Sequence, residues 1–200
     1  DYYASRGLGD VYKRQECGQG EKSASSAFFL PNMKEKNSSL KSILIFVISV
    51  AILTFFDQLS KIIMVDALKT TKTIPLIKNV LEFYYIENTG TAWGMFGGGR
   101  IFFLVLTVII MAVLVYITYK LPTTKKYMLM RITIILLGSG AVGNFIDRLF
   151  LGYVRDFIYF RLINFPVFNV ADCYVTIGLA LFIIMILFIY KDEDFNFFKA

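Results

Sequence analysis

The 200-residue chain contains no histidine. That absence excludes a Ser-His-Asp triad, a Cys-His dyad and every His-ligated zinc or haem site. Cysteine is almost as scarce, with Cys17 and Cys173 alone, too few for a disulfide framework or a four-thiolate metal site. The expectation is a protein with no metal and no cofactor. What the chain has in excess is apolar surface: 56% of residues are hydrophobic and 20 are Phe. A chain this short cannot hide that much apolar area inside a water-soluble core. The net charge of +6 does not point to nucleic acid, because the lysines flank apolar runs and form no dense patch. A membrane protein follows, with membrane lipid as its surroundings.

Residues 1–32 differ from the rest. They are rich in Gly, Ser and charge, lack sustained periodicity, and precede Met33 and the basic run Lys34-Glu35-Lys36. They read as a non-native or disordered N-terminal extension, from a misassigned start, ahead of one membrane-embedded domain over residues 33–200. Within it four stretches have the length and apolarity of membrane spans: about 42–64, 101–119, 132–148 and 173–190. Each must be helical, since lipid offers backbone N–H and C=O groups no partner. The first could be a cleaved signal peptide, but no small-x-small site follows it and Asp57, Gln58 and Lys61 continue the helix. Lys34, Lys36 and Lys41 before span one, and Lys120, Lys125, Lys126 and Arg131 after span two, favour an N-in, C-in arrangement.

Between the spans, Leu81–Ile86 favours a strand and Asn88-Thr89-Gly90 reads as a turn. Residues 157–170 read as two short extended pieces, the second limited to a sheet edge by Pro166. The fold class expected is an all-α membrane protein, a four-transmembrane-helix bundle with a small extracytoplasmic β-sheet.

Polar residues gather at the outer ends of the spans. Asp57 and Lys61 are four apart and share a helix face, where they can pair, or where Lys61 can simply snorkel. Asn144, Asp147 and Arg148 form one polar face at positions i, i+3 and i+4, after a run of small residues from Gly138 to Gly143; charges at that depth usually face a bundle interior. Asp147 and Arg148 also admit a purely structural ion pair. Asp156 and Asp172 lie sixteen residues apart, and a hairpin between them can bring the carboxyls together. Two close carboxyls share a proton, so one can deprotonate water while the other protonates the scissile group. The alternatives are that Asp172 caps a helix and Asp156 is a solvated loop residue.

Taken together, Asp57-Gln58-x-x-Lys61, Asn88-Thr-Gly90-x-Ala92-Trp93-Gly, Gly143-Asn144-x-x-Asp147-Arg148-x-x-x-Gly152-x-Val154-x-Asp156-Phe157 and Phe168-Asn169-x-Ala171-Asp172 resemble the bacterial lipoprotein signal peptidase (signal peptidase II) family. The resemblance runs over about residues 40–190, in order, between four spans. It implies an aspartyl endopeptidase of the bacterial inner membrane, multi-pass, with its active site at the outer face. It also implies a substrate: a diacylglyceryl-modified prolipoprotein, cut just before the lipidated cysteine. The family's catalytic aspartates fall on Asp156 and Asp172. Its supporting residues fall on Asp57, Lys61, Asn88, Gly90, Asn144, Asp147, Arg148, Asn169 and Ala171. For these we expect Asn144 and Arg148 to grip substrate carbonyls, Asn169 to orient the aspartates, and Asp57 and Asp147 to pair with Lys61 and Arg148. Thr91 and Trp93 are conservative departures, and Cys173 reads as packing. The glycine-rich stretch 94–99 would let segment 74–99 gate the site. A monomer is expected.

A transporter or channel is the rival class, but it needs polar residues at mid-membrane, and the second and fourth spans carry no charge there. Intramembrane proteases with a Gly-x-Gly-Asp motif are excluded because Gly138-Ser139-Gly140 is followed by Ala141.

Overall fold

The computed structural model describes residues 33–90 and 99–198. The extension 1–32 lies outside the described residues, as do Thr91, Ala92, Trp93 and all of the glycine-rich stretch except Gly99. Four helices carry the fold: α1 (Met33–Thr71), α2 (Gly99–Lys120), α3 (Met128–Phe150) and α4 (Val170–Ile184). Beyond Ile184, α4 continues as a π-helical turn, Met185–Ile189, and the chain then closes in a 3₁₀ stretch, Asp192–Phe198. All four are long and apolar enough to cross a membrane.

The helices outrun the uncharged stretches of sequence. At about 1.5 Å per residue, α1 is about 58 Å long, nearly twice the ~30 Å hydrocarbon layer. Its second half enters a polar environment because Asp57 and Lys61 turn inward and satisfy each other. Large apolar side chains such as Phe55, Val108, Ile183 and Leu187 point outward and are exposed, as a lipid-facing surface requires. Phe46, Val50, Leu114, Met130, Ile134 and Met185 pack inward as the buried core.

Small residues bring the helices close. A Cβ on Gly140 would stand 2.4 Å from the carbonyl oxygen of Ala171, and one on Gly143 would stand 2.5 Å from Asp57 Oδ2. Glycine at these two points lets α3 touch α4 and α1 directly.

Three antiparallel strands sit beside the bundle in the order β1-β2-β3: β1 (Thr73–Ile77), β2 (Leu81–Asn88) and β3 (Val154–Tyr159). The all-α bundle with a small sheet is thus present, with one strand more than the sequence suggested before residue 80. Pro75 hides β1 from a sequence reading, and β1 tolerates it as an edge strand. The second extended piece of 157–170 shrinks to one bridge, Phe168 opposite Ile158. Pro166 lacks a donor and Asn164 takes a left-handed φ of 48°, so no ladder can propagate there.

Candidate active site

The charged and amide side chains in the motifs are delivered to one end of the bundle by five pieces of backbone: α1, the end of β2, α3, β3 and the start of α4. Facing strands place the first pair. Asn88 opposes Val154 and Ile86 opposes Asp156, so Asn88 and Asp156 are diagonal neighbours on one sheet face. Asn88 Nδ2 donates to Asp156 Oδ2 at 2.8 Å. Gly90, with φ of +80°, turns the chain back and donates its N–H to Asn88 Oδ1 at 2.9 Å, which fixes the amide's orientation.

Asp172 arrives from the start of α4. Asn169 is the N-cap and accepts from the Asp172 N–H, while Asp172 Oδ2 accepts from the Asn169 N–H at 3.1 Å. Asp172 therefore does cap the helix, as a structural reading required. It does more, because its other oxygen accepts from Asn144 Nδ2 at 2.7 Å. Asn169 Nδ2 meanwhile donates to Asp156 Oδ1 at 2.6 Å and to Asn144 Oδ1 at 3.1 Å. All four carboxyl oxygens of Asp156 and Asp172 thus accept an amide N–H, and Asn169 bonds to both residues.

Their surroundings differ. Asp156 is 1% exposed, whereas Asp172 is only partly buried. Burial pushes the Asp156 carboxyl up to about 6; the Asn88 hydrogen bond opposes this and the charge of Asp172 adds to it.

Beneath these two lies a second layer of charge. Lys61 is fully buried; its Nζ lies 2.9 Å from Asp57 Oδ2, 3.5 Å from Asp147 Oδ2 and 3.0 Å from Asn144 Oδ1. Asp57 Oδ1 accepts the Ala171 N–H at 2.8 Å, tying α1 to the positive end of α4. Asp147 accepts from Arg155 through backbone and side chain, the shortest contact being 2.7 Å. Gln58 donates to Asp147 Oδ1 at 3.0 Å and accepts from Arg155 at 2.7 Å.

Two expectations are corrected here. Asp147 pairs with Arg155 and Lys61, not with Arg148, because consecutive helix residues point about 100° apart. Arg148 instead lies over the Phe103 ring, 4.6 Å from its centroid, within the field of Asp172 and Asp156. Its guanidinium makes no hydrogen bond among the described residues. Asn144, expected to grip a substrate carbonyl, has its amide engaged by Asp172, Lys61 and Asn169. Sequence reasoning omitted Gln58 and Arg155 from the site. The only available signal for Arg155 was a charge next to Asp156 in a strand otherwise apolar on both sides.

The geometry joins two carboxyls, an amide bridge and an uncommitted guanidinium at the end of a membrane bundle. Residues 48–188 match the profile of the family described as Signal peptidase (SPase) II. The chain belongs to the signal peptidase II family. Relatives named lipoprotein signal peptidase agree. The protein from Halothermothrix orenii is 38% identical over 146 residues, covering 73% of this chain and 95% of its own. That from Caldanaerobacter subterraneus subsp. tengcongensis is 41% identical over 133 residues, covering 66% and 88%. Two solved structures of a bacterial membrane enzyme align at 36% identity with TM-scores of 0.63 and 0.60; the first covers 72% of this chain and 92% of that enzyme, the second 71% and 87%. This signal peptidase II is an aspartic protease and a multi-pass bacterial membrane protein.

Proposed function

We propose that this signal peptidase II removes the signal peptide from diacylglyceryl-modified prolipoproteins, cutting before the lipidated cysteine, with Asp156 and Asp172 as the catalytic pair. The observation that carries the reading is the bridge: one residue, Asn169, holds a carboxyl from β3 through its side-chain amide and a carboxyl from α4 through its backbone N–H, in one hydrogen-bonded group. The relatives' shared name supports the substrate. Polar groups concentrated at one end of the spans fit interfacial chemistry and disfavour a transporter, which needs them at mid-membrane. The basic residues at the other end of the bundle support N-in, C-in termini and an active site at the outer face. The enzyme acts as a monomer, since one chain supplies the whole pair.

Asp156 is the proton holder and Asp172 the base. Asp172, more open to solvent, takes a proton from water as the water oxygen attacks the scissile carbonyl carbon. Asp156 gives its proton to the carbonyl oxygen, and Arg148 offers that oxygen unspent N–H donors. Collapse of the tetrahedral intermediate breaks the C–N bond; the leaving amine takes the proton that Asp172 gained, and one hydroxyl proton of the intermediate returns to Asp156 as the carboxyl product forms. Lys61, Asp57, Asp147 and Asn144 hold the pair from below. Purified enzyme offered one precursor with and without the diacylglyceryl group should cleave only the modified form; equal cleavage of both would remove the substrate assignment.

The proton-holder assignment predicts a pH profile. With Asp156 at about 6, kcat/KM should fall as pH rises above about 6. An amide N–H donated to a carboxyl favours its ionised form, so removing the Asn88 donor raises the Asp156 pKa further. Asn88→Ala should therefore move the alkaline limb to higher pH while lowering peak activity. A limb that stays in place in that variant would assign the proton to another group.

A further inference from the structure

At the end of the bundle opposite the aspartates, α1, α2 and α3 enclose a cavity of about 310 Å³. Two cations line it, Lys41 from α1 and Arg131 from α3, together with the Thr118 hydroxyl and apolar walls from Ile45, Phe46 and Ile135. No carboxylate is among the lining residues. Arg131 donates to the Pro122 carbonyl, which aims it across the α2–α3 connection; this uses one of five N–H donors. Lys41 is exposed and has no ion pair among the described residues. Two cations converging on one recess with no facing carboxylate repel each other, and an anion between them relieves that repulsion.

The depth is informative. Lys41 precedes Asp57 by sixteen residues on α1, and Arg131 precedes Asp147 by sixteen on α3, a separation of about 24 Å on each helix. Two helices independently place these cations about one hydrocarbon thickness from the aspartates, at the opposite membrane interface. The apolar walls run out to the lipid-facing surface, since Ile45 is 60% exposed, beside Leu44 and Ile48.

We infer that this cavity is a binding site for the phosphate of an anionic glycerophospholipid, with Lys41 and Arg131 on the phosphate oxygens and the acyl-bearing end along Ile45 and Ile135. Basic recesses between transmembrane helices are suited to anionic headgroups. A free phosphate ion shares the charge but has no use for the apolar walls, and so the lipid is the occupant. The site is separate from hydrolysis: it fastens the far ends of α1, α2 and α3 to the membrane.

Native mass spectrometry of the full chain in mild detergent tests this, with phosphatidylglycerol, phosphatidylcholine and inorganic phosphate as probes. One phosphatidylglycerol should be retained, and phosphatidylcholine, which has the same phosphate but no net charge, should bind at least about fivefold more weakly. Millimolar inorganic phosphate should not displace the lipid. Lys41→Gln should weaken phosphatidylglycerol binding about fivefold, and Lys41→Gln with Arg131→Gln about thirtyfold. Arg131 also braces Pro122, so its loss can disturb folding; Lys41 is exposed, and the Lys41→Gln variant should fold and cleave normally. Lys72→Gln, just beyond the other end of α1, serves as the control. Undiminished phosphatidylglycerol binding by Lys41→Gln would overturn the inference. So would equal binding of phosphatidylcholine, or displacement by inorganic phosphate.

Discussion

Asp156→Asn and Asp172→Asn should each lower turnover of lipidated precursor by roughly a thousandfold or more, because each removes one of the two proton transfers the reaction needs. Loss of function without loss of fold is the discriminating outcome, and the two variants should differ in stability. At position 156 the carboxyl sits buried, so replacing it by a neutral amide relieves desolvation. That gain offsets the mismatch where an amide N–H of the variant would face Asn88 or Asn169, each now a donor to a carboxyl oxygen. Thermal unfolding of Asp156→Asn should therefore match the parent closely. Asp172 carries half of a capping box; its replacement should cost about 1 kcal/mol and lower Tm measurably. If either variant keeps cleaving, the pair is not the catalytic machinery. If both lose cleavage only together with their fold, the two residues are structural and the reaction lies elsewhere.

Periodicity and helix spacing carried much of the architecture. Long uncharged runs require helices because lipid cannot satisfy backbone polar groups, and the four helices follow from that. The i, i+4 spacing of Asp57 and Lys61 put them on one face, and they are in contact at 2.9 Å. Asp156 and Asp172 were harder, because the fifteen residues between them can fold in many ways; the motif resemblance, not the spacing, singled them out. Their joint hold on Asn169 depends on the bridge that sets Phe168 opposite Ile158, which no local signal specifies.

The ion network defeated a local reading for a different reason. Proximity in sequence suggested Asp147 with Arg148, but adjacent helix residues diverge, and the partner came from a strand eight residues later. Gln58 and Arg155 meet across ninety-seven positions. Contacts of that range are products of packing: Gly140 and Gly143 bring α3 against its neighbours, and only then do α1, α3 and β3 share one polar interior. Asn144 shows the same limit, since an amide suited to gripping substrate is equally suited to holding Asp172, and its partners decide between the two.

Lys61→Met should be among the most damaging single changes away from the catalytic pair. The parent ammonium touches Asp57, Asp147 and Asn144 while wholly shielded from solvent. Methionine fills nearly the same volume but leaves Asp57 with no cation in contact and Asp147 with Arg155 alone. Breaking a buried ion pair by removing one partner costs about 3–5 kcal/mol, since the stranded charge remains desolvated. The Asp57 Oδ1 bond to the Ala171 N–H at 2.8 Å relieves part of that strain and no more. Activity should fall further than stability alone accounts for: Asn144 Oδ1 loses its bond to the ammonium and keeps only the 3.1 Å bond from Asn169, so the amide that donates to Asp172 is held less firmly. A second substitution separates the two effects. In Lys61→Met with Asp57→Asn, one stranded charge is neutralised, so stability should recover by a kcal/mol or two, roughly the coupling expected between contacting residues. Cleavage should not recover, because nothing restores the orientation of Asn144. Denaturant unfolding in detergent, run beside the cleavage assay, measures both. A Lys61→Met enzyme within about 1 kcal/mol of the parent would mean that the carboxyls below the catalytic pair are held neutral, and that the ammonium is not what keeps them in place.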